Sequence, residues 1–204
     1  RYCRWADDFL ILTKTKRASG RVMESITEYL EKNLGLLVNK TKSQVAPVSK
    51  VEFLGFTVKS GKIGIGIQAQ KKFKTKVREL TNRNNPMSMH QATRKLNTYL
   101  NGWIAYFRLQ EFKSILEKLD WFIRKRLRSM QLKKWKKPRK FQRMMIRANL
   151  PTSIAKTTWV RMNKWQSVER KAVRQTLNLK WARGLGLVFL DDFRQRSSGL
   201  RFGC

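Results

Sequence analysis

Asp7 and Asp8 are adjacent carboxylates in a chain poor in acid. Thirteen Asp and Glu stand against forty-six Lys and Arg over 204 residues, a formal net charge of +33. Apolar residues flank the pair, Trp5-Ala6 before and Phe9-Leu10-Ile11 after. Clustered carboxylates offer the hard oxygen ligands that Mg²⁺ prefers and leave coordination positions for substrate phosphates. A two-metal arrangement of that kind activates a hydroxyl and stabilises the leaving oxygen in phosphoryl transfer. Asp is also a favoured turn residue, so the dipeptide alone suits a plain surface turn as well.

The second chemical signal is the basic excess. From Trp121 to Val168 there are fifteen Lys or Arg and no Asp or Glu, densest between Arg124 and Arg147. Trp135 and Phe141 interrupt that stretch. Basic side chains neutralise phosphates and release counterions, and aromatic rings can stack on unpaired bases. So much like charge repels itself without a polyanionic partner, and nucleic acid is the expected one. A solvated charged face with core aromatics is the plainer reading of any single lysine, and a basic membrane-surface helix is the weaker competitor.

These groups need elements to hold them. Residues 1–12 read as strand, tight turn and strand, with the Asp pair at the turn. Residues 19–34 read as a helix: Ser19 is the expected N-cap, Val22, Met23, Ile26, Tyr29, Leu30 and Leu34 recur at helical spacing, and Gly35 is the expected left-handed stop. Leu36–Val38 and Ser43–Val45 read as short strands around a polar link. Val51–Val58 and Lys62–Ile67 read as a hairpin turning at Ser60-Gly61. From Gln68 onward the pattern is helical, over Gln68–Thr81, then a helix capped by Ser88, then one carrying Phe112, Ile115, Leu116, Leu119, Ile123 and Leu127. Trp103 and Trp121 fall on these apolar stripes and read as core. Shorter helices are expected near 138–148, 151–161 and 165–177, and a loosely ordered tail after Asp192. His90 reads as an exposed helix residue. The fold class is therefore α+β, with a strand-rich first part and a small helical bundle behind it.

Composition excludes several classes. Hydrophobic residues make up 41% of the chain, enough for a core, so wholesale disorder is not expected. No run approaches the roughly 20 apolar residues of a membrane span. Cys3 and Cys204 make neither a disulfide framework nor a zinc site, which favours a reducing intracellular compartment. A single histidine rules out a His-dependent metal cluster within the chain. No internal repeat or signal peptide is evident, and the chain opens on Arg1, as a fragment would.

Arg4-Trp5-Ala6-Asp7-Asp8-Phe9 resembles the catalytic hairpin of reverse transcriptases, which usually carries Tyr where Trp5 stands. Leu34-Gly35-Leu36-Leu37-Val38-Asn39-Lys40-Thr41-Lys42-Ser43 resembles the next element of that family, and Phe53-Leu54-Gly55-Phe56 its primer-grip hairpin. Leu96-Asn97-x-Tyr99-Leu100-x-Gly102-Trp103, then Leu119-Asp120-Trp121 through Arg128, then Lys134-Trp135-Lys136, are similar to the maturase-specific (thumb, or X) domain of group II intron-encoded proteins. Gly186 to Phe193 fits that domain's C-terminal pattern. The resemblance runs in order over nearly the whole chain.

It implies a partial antiparallel palm sheet with one helix over 1–66, an all-helical thumb/maturase bundle over 67–193, and a tail over 194–204. It implies Mg²⁺ as cofactor, with Asp7 the principal ligand and Asp8 a secondary one. Lys42 would donate a proton or positive charge to the leaving pyrophosphate. Phe53, Leu54, Gly55 and Phe56 would grip the primer, with Gly55 permitting close backbone approach. Arg124, Arg126, Arg128, Lys133, Lys134, Lys136, Lys137, Arg139 and Lys140 would form the RNA surface. The implied partners are structured intron RNA, an RNA/DNA primer–template duplex, a dNTP and the missing N-terminal half.

Three departures matter. Trp5 replaces Tyr, Asn101 stands where Arg is common, and the chain begins at the catalytic hairpin. An earlier palm strand that supplies another metal-binding Asp is absent, so the two-metal site is incomplete and the chain alone is expected not to polymerise. With no His/Asn cluster or Cys quartet, target-strand cleavage is not expected either. Two lesser readings stay open: a non-catalytic basic module that assists RNA folding or splicing, and a structural ribonucleoprotein component.

Overall fold

Tyr2–Trp5 (β1) and Asp8–Ile11 (β2) pair antiparallel, in the register Tyr2 to Ile11 and Trp5 to Asp8. Ala6 and Asp7 form the turn, as the sequence pattern predicts. The computed structural model describes residues 1–135, 138–154 and 168–197. The chain divides into two compact units, Arg1–Gly66 and Ile67–Cys204.

In the first unit, the helix after the hairpin is Lys16–Asn33 (α1). Its cap is Thr15, whose hydroxyl accepts from the Ala18 N–H at 3.2 Å. Ser19, the expected cap, lies one turn inside and uses its hydroxyl on Thr13 Oγ1 and the Thr15 carbonyl. Both residues carry capping chemistry, and the earlier one wins because it adds a turn of helix hydrogen bonds. Gly35, at φ +63°, makes the left-handed exit that the pattern requires.

The expected strands at 36–38 and 43–45 do not form. The Asn39 side chain takes up the local donors instead: its Oδ1 accepts from Thr41 N at 3.1 Å, Thr41 Oγ1 at 2.7 Å and Lys42 N at 3.2 Å. A side chain that satisfies neighbouring N–H groups removes their need for a ladder.

A second sheet has the order β3 (Glu52–Phe53), β4 (Phe56–Lys59), β5 (Lys62–Ile65), all antiparallel. The expected single strand over 51–58 is broken at Leu54-Gly55, where both residues have positive φ (+51° and +79°). Ser60-Gly61 repeats the device at +49° and +72°. Two successive left-handed residues match the right-handed twist of a hairpin, which is why such turns close tight β connections.

The second unit is helical: α2 (Ile67–Leu80), α3 (Met89–Tyr106), α4 (Lys113–Lys134), α5 (Pro138–Arg147), α6 (Lys171–Thr176), α7 (Leu179–Gly184) and α8 (Leu190–Ser197) among the described residues. Ser88 caps α3 as expected, in a reciprocal capping box with Gln91. Phe73 and Val77 of α2, Leu96, Leu100 and Ile104 of α3, and Leu116, Leu119, Ile123 and Leu127 of α4 are buried. Phe73, Trp103 and Phe107 stack in sequence, with centroids 4.4 and 4.6 Å apart. A second cluster joins Leu132, Trp135, Phe141, Met145, Val173 and Leu177. Of the expected helix near 151–161 only 151–154 lies among the described residues; of the one near 165–177, residues 168–177 are described and the helix there is the short α6, Lys171–Thr176.

The loose tail expected after Asp192 is helical through Ser197. The cause lies in α4, where the buried Asp120 accepts from the first backbone N–H groups of α8. No described helix is long and apolar enough to cross a membrane.

Candidate catalytic hairpin and nucleic-acid interface

The β1–β2 turn holds Ala6 at φ +50°, a region that costs an L-residue roughly 1 kcal/mol. The Arg4 guanidinium steadies it by donating from Nε to the Ala6 carbonyl at 3.0 Å. The result projects Asp7 from the turn and starts β2 with Asp8, cross-strand from Trp5. Both aspartates are exposed, and among the described residues neither carboxylate has a hydrogen bond or ion pair. Exposed, uncommitted oxygen donors fit a hard divalent ion. Among the described residues no group of three or more His, Cys, Asp or Glu gathers around them. The pair thus supplies two protein ligands, and the rest of the coordination sphere must come from elsewhere.

Lys42 is exposed, with its backbone fixed by Asn39. Among the described residues no hydrogen bond or ion pair joins it to Asp7 or Asp8. Asn39 is the residue that reading by type missed: it organises the lysine's loop, and its position two residues before Thr41 was the available signal. Phe53 and Phe56 form the closing pair of a two-residue turn at Leu54-Gly55, and all four are half-buried. The Gly55 carbonyl accepts from Gly66 N at 2.7 Å. This hairpin and the aspartate hairpin belong to separate sheets.

The nine cations expected on one RNA surface separate into distinct environments. Arg128 is only 6% exposed; its Nε donates to the Leu177 carbonyl at 3.0 Å, and Nη1 lies 4.0 Å from Glu169. Burial, above all, lowers its pKa from the ordinary arginine value. Arg128 is therefore a core strut and is corrected from the RNA surface. Arg124 lies over the Phe189 ring at 5.9 Å, half-buried. Arg126 donates to Thr81 Oγ1 at 3.1 Å and to the carbonyls of Thr81 and Arg78. Burial, then the nearby Arg78 and Arg83 charges, lower its pKa. Lys134 donates to the Asn85 carbonyl at 3.2 Å. Lys133, Arg139 and Lys140 are exposed, while Lys136 and Lys137 lie outside the described residues.

Of the two readings of Trp135 and Phe141, base-stacking rings or core aromatics, the core one holds: they pack on each other at 5.5 Å inside the second core cluster. Trp121, expected in the core, is 39% exposed, with the Lys125 ammonium 4.9 Å above its ring.

Arg126 and Lys134, eight residues apart on α4, together clasp the loop between α2 and α3. Against that loop lies a recess of about 350 Å³ lined by Asn82, Arg83, Asn84, Arg126 and Lys133. Only its α4 residues were legible as nucleic-acid candidates; Asn82–Asn84 fall between the expected helix over Gln68–Thr81 and the one capped by Ser88.

Comparison with known families gives two matches along the chain. Residues 1–58 match reverse transcriptase (RNA-dependent DNA polymerase), and residues 70–148 match the group II intron, maturase-specific domain. Comparison with curated proteins gives no match. The first match covers the aspartate hairpin, α1 and the Phe53–Phe56 turn; the second covers α2 through α5, the loop recess included. With a reverse-transcriptase segment followed directly by a maturase-specific one, the chain belongs to the group II intron reverse transcriptase/maturase family.

Proposed function

We propose that this chain is the carboxyl-proximal part of an RNA-directed DNA polymerase that also binds its intron RNA. The observation that carries this reading is the aspartate pair, held exposed and uncommitted at the tip of a braced hairpin. The reaction is attack of a primer 3′-hydroxyl on the α-phosphate of a dNTP, with pyrophosphate leaving. Asp7 and Asp8 would hold Mg²⁺, which when bound supplies Lewis-acid stabilisation of the reacting oxygens. Asp7 projects from the turn, so it is the main protein ligand, with Asp8 supporting it. Lys42, presented on the Asn39-organised loop, supplies positive charge toward the departing pyrophosphate. The half-buried Phe53–Phe56 turn offers a backbone ledge for the primer strand. Exposed cations of the helical unit, Lys133, Arg139 and Lys140 among them, hold RNA through its phosphates.

Two carboxylates leave most positions around Mg²⁺ to water, substrate and ligands outside the described residues. Polymerisation is therefore assigned to the full-length enzyme rather than to these residues acting alone. A second reading, an RNA-binding module without catalysis, draws on the helical unit's own buried core and its exposed cations, Lys133, Arg139 and Lys140 among them. Primer extension on an RNA template separates the two. In the full-length protein, Asp7→Ala is expected to abolish nucleotide incorporation and leave RNA affinity within about twofold. Unchanged incorporation would remove the catalytic reading; loss of RNA affinity in the same variant would remove the division of labour.

A further inference from the structure

We propose that the recess between the α2–α3 loop and the C-terminal half of α4 is a seat for one backbone phosphate of the bound RNA. This rests on the reading of the helical unit as RNA-binding, and it adds residues that no motif singled out. The walls carry three cations, Arg83, Arg126 and Lys133, and two amides, Asn82 and Asn84, with no carboxylate among them. The nearest acid in sequence, Glu79, is already paired with Lys76 at 2.9 Å.

The loop is fixed rather than left to adapt. Asn82 Oδ1 accepts from Asn84 N at 3.0 Å, and Asn85 Oδ1 accepts from Met87 N at 3.0 Å. From α4, Arg126 anchors the loop's start and Lys134 its end. Arg126 spends these donors on the protein, so its part is positioning and a fixed positive charge. Arg83 is different: its Nε is shielded from solvent and, among the described residues, has no hydrogen-bond partner. A guanidinium with a buried, unpaired donor holds its charge at a cost, and an anion against the rest of the group would offset that cost. The mutual proximity of Arg78, Arg83 and Arg126, which already depresses Arg126, adds to the pull for an anion. A phosphodiester fits the chemistry: it presents acceptor oxygens only and carries the opposite charge.

The test is equilibrium binding of the full chain to a structured RNA across a salt series. The variants are Arg83→Gln and Lys133→Gln; Lys133 is exposed on α4, so its replacement leaves the fold intact. Each variant is expected to bind about three- to tenfold more weakly and to lower the slope of log affinity against log salt by about 1. Lys32→Gln, an equal charge change on α1, is expected to leave affinity within about twofold. Wild-type affinity and slope in both recess variants would overturn the proposal while leaving RNA binding itself standing. Absence of RNA binding by the wild-type chain would instead defeat the underlying reading. A parallel titration with inorganic phosphate at constant ionic strength is expected to give no saturable binding in the micromolar range. Tight phosphate binding, combined with unaltered RNA affinity in the variants, would make the recess a free-anion site and also overturn the proposal.

Discussion

The Asp120 carboxylate is the N-terminal cap of α8: Oδ1 accepts from the Leu190 N–H at 3.0 Å and Oδ2 from the Asp191 N–H at 3.2 Å. Seventy residues of sequence separate the first two partners. Asp120 is 5% exposed, and burial is the main cause pushing its pKa up from 3.8 to about 6, against the opposing pull of those N–H groups and Arg124. The folded protein thus holds a proton on Asp120 that the unfolded chain gives up near pH 4. The stability this provides is complete below about pH 4 and is lost as pH rises through 6, by an amount on the order of 3 kcal/mol. Urea unfolding of wild type and Asp120→Asn between pH 4 and 7 is expected to show that slope in the wild type alone. Parallel curves would contradict it.

Asn97 performs a related task on the segment before α8. Its Nδ2 donates to the Gly186 carbonyl at 2.7 Å, and its Oδ1 accepts from Val188 N at 3.0 Å. Asn97→Ala removes both bonds and is expected to cost about 2 kcal/mol. Hydrogen exchange should locate the loss: the Val188 amide exchanges faster, while amides in α2 keep their protection relative to global stability.

Gly55 sits at φ +79° beside Leu54 at +51°. A Cβ at Gly55 would add a second L-residue in the left-handed region to a turn that already carries one. Gly55→Ala is expected to destabilise the β3–β4 hairpin by about 1 kcal/mol. Gly55→Asn, which tolerates this backbone better, should recover part of that cost, read as the urea midpoint.

The basic residues of α4 and α5 should divide by mutagenesis as they do by burial. Arg128→Ala leaves the Leu177 carbonyl without its donor and opens space beside the second core cluster, at an expected cost of about 2–4 kcal/mol. Its effect on RNA binding should vanish once unfolded protein is corrected for. Lys140→Glu, on exposed ground, should leave the thermal midpoint within about 2 °C and weaken RNA binding with a shallower salt dependence. The reverse pattern would mean that the surface lies elsewhere.

Much of this protein was legible without coordinates. Alternating aromatic and aliphatic residues around Asp7-Asp8 specify a hairpin, and the stripe from Ala92 to Phe107 specifies a helix, because both signals depend on neighbours within a few positions. The motifs gave the family in the right order. Charge counting gave a polyanion as the expected partner, because net charge does not depend on how the chain folds.

What the linear pattern left undecided is which side of each element faces inward. Arg128 looks like its basic neighbours in sequence, yet α4 packs against α2, α3 and α8 together, and so many neighbours bury more than one stripe. For the same reason Trp135 and Phe141 lie in a core and Trp121 lies in the open. Asn97 and Asp120 are recognisable as motif residues, but their partners at Gly186, Val188, Leu190 and Asp191 are fixed only when the C-terminal segment docks. The recess at Asn82–Asn84 likewise exists only because Arg126 and Lys134 reach across from another helix. Sequence determined the elements and their chemistry through local sterics, capping and charge; tertiary packing decided which charges are structural and which stay open to a ligand, because burial is set by residues far away along the chain.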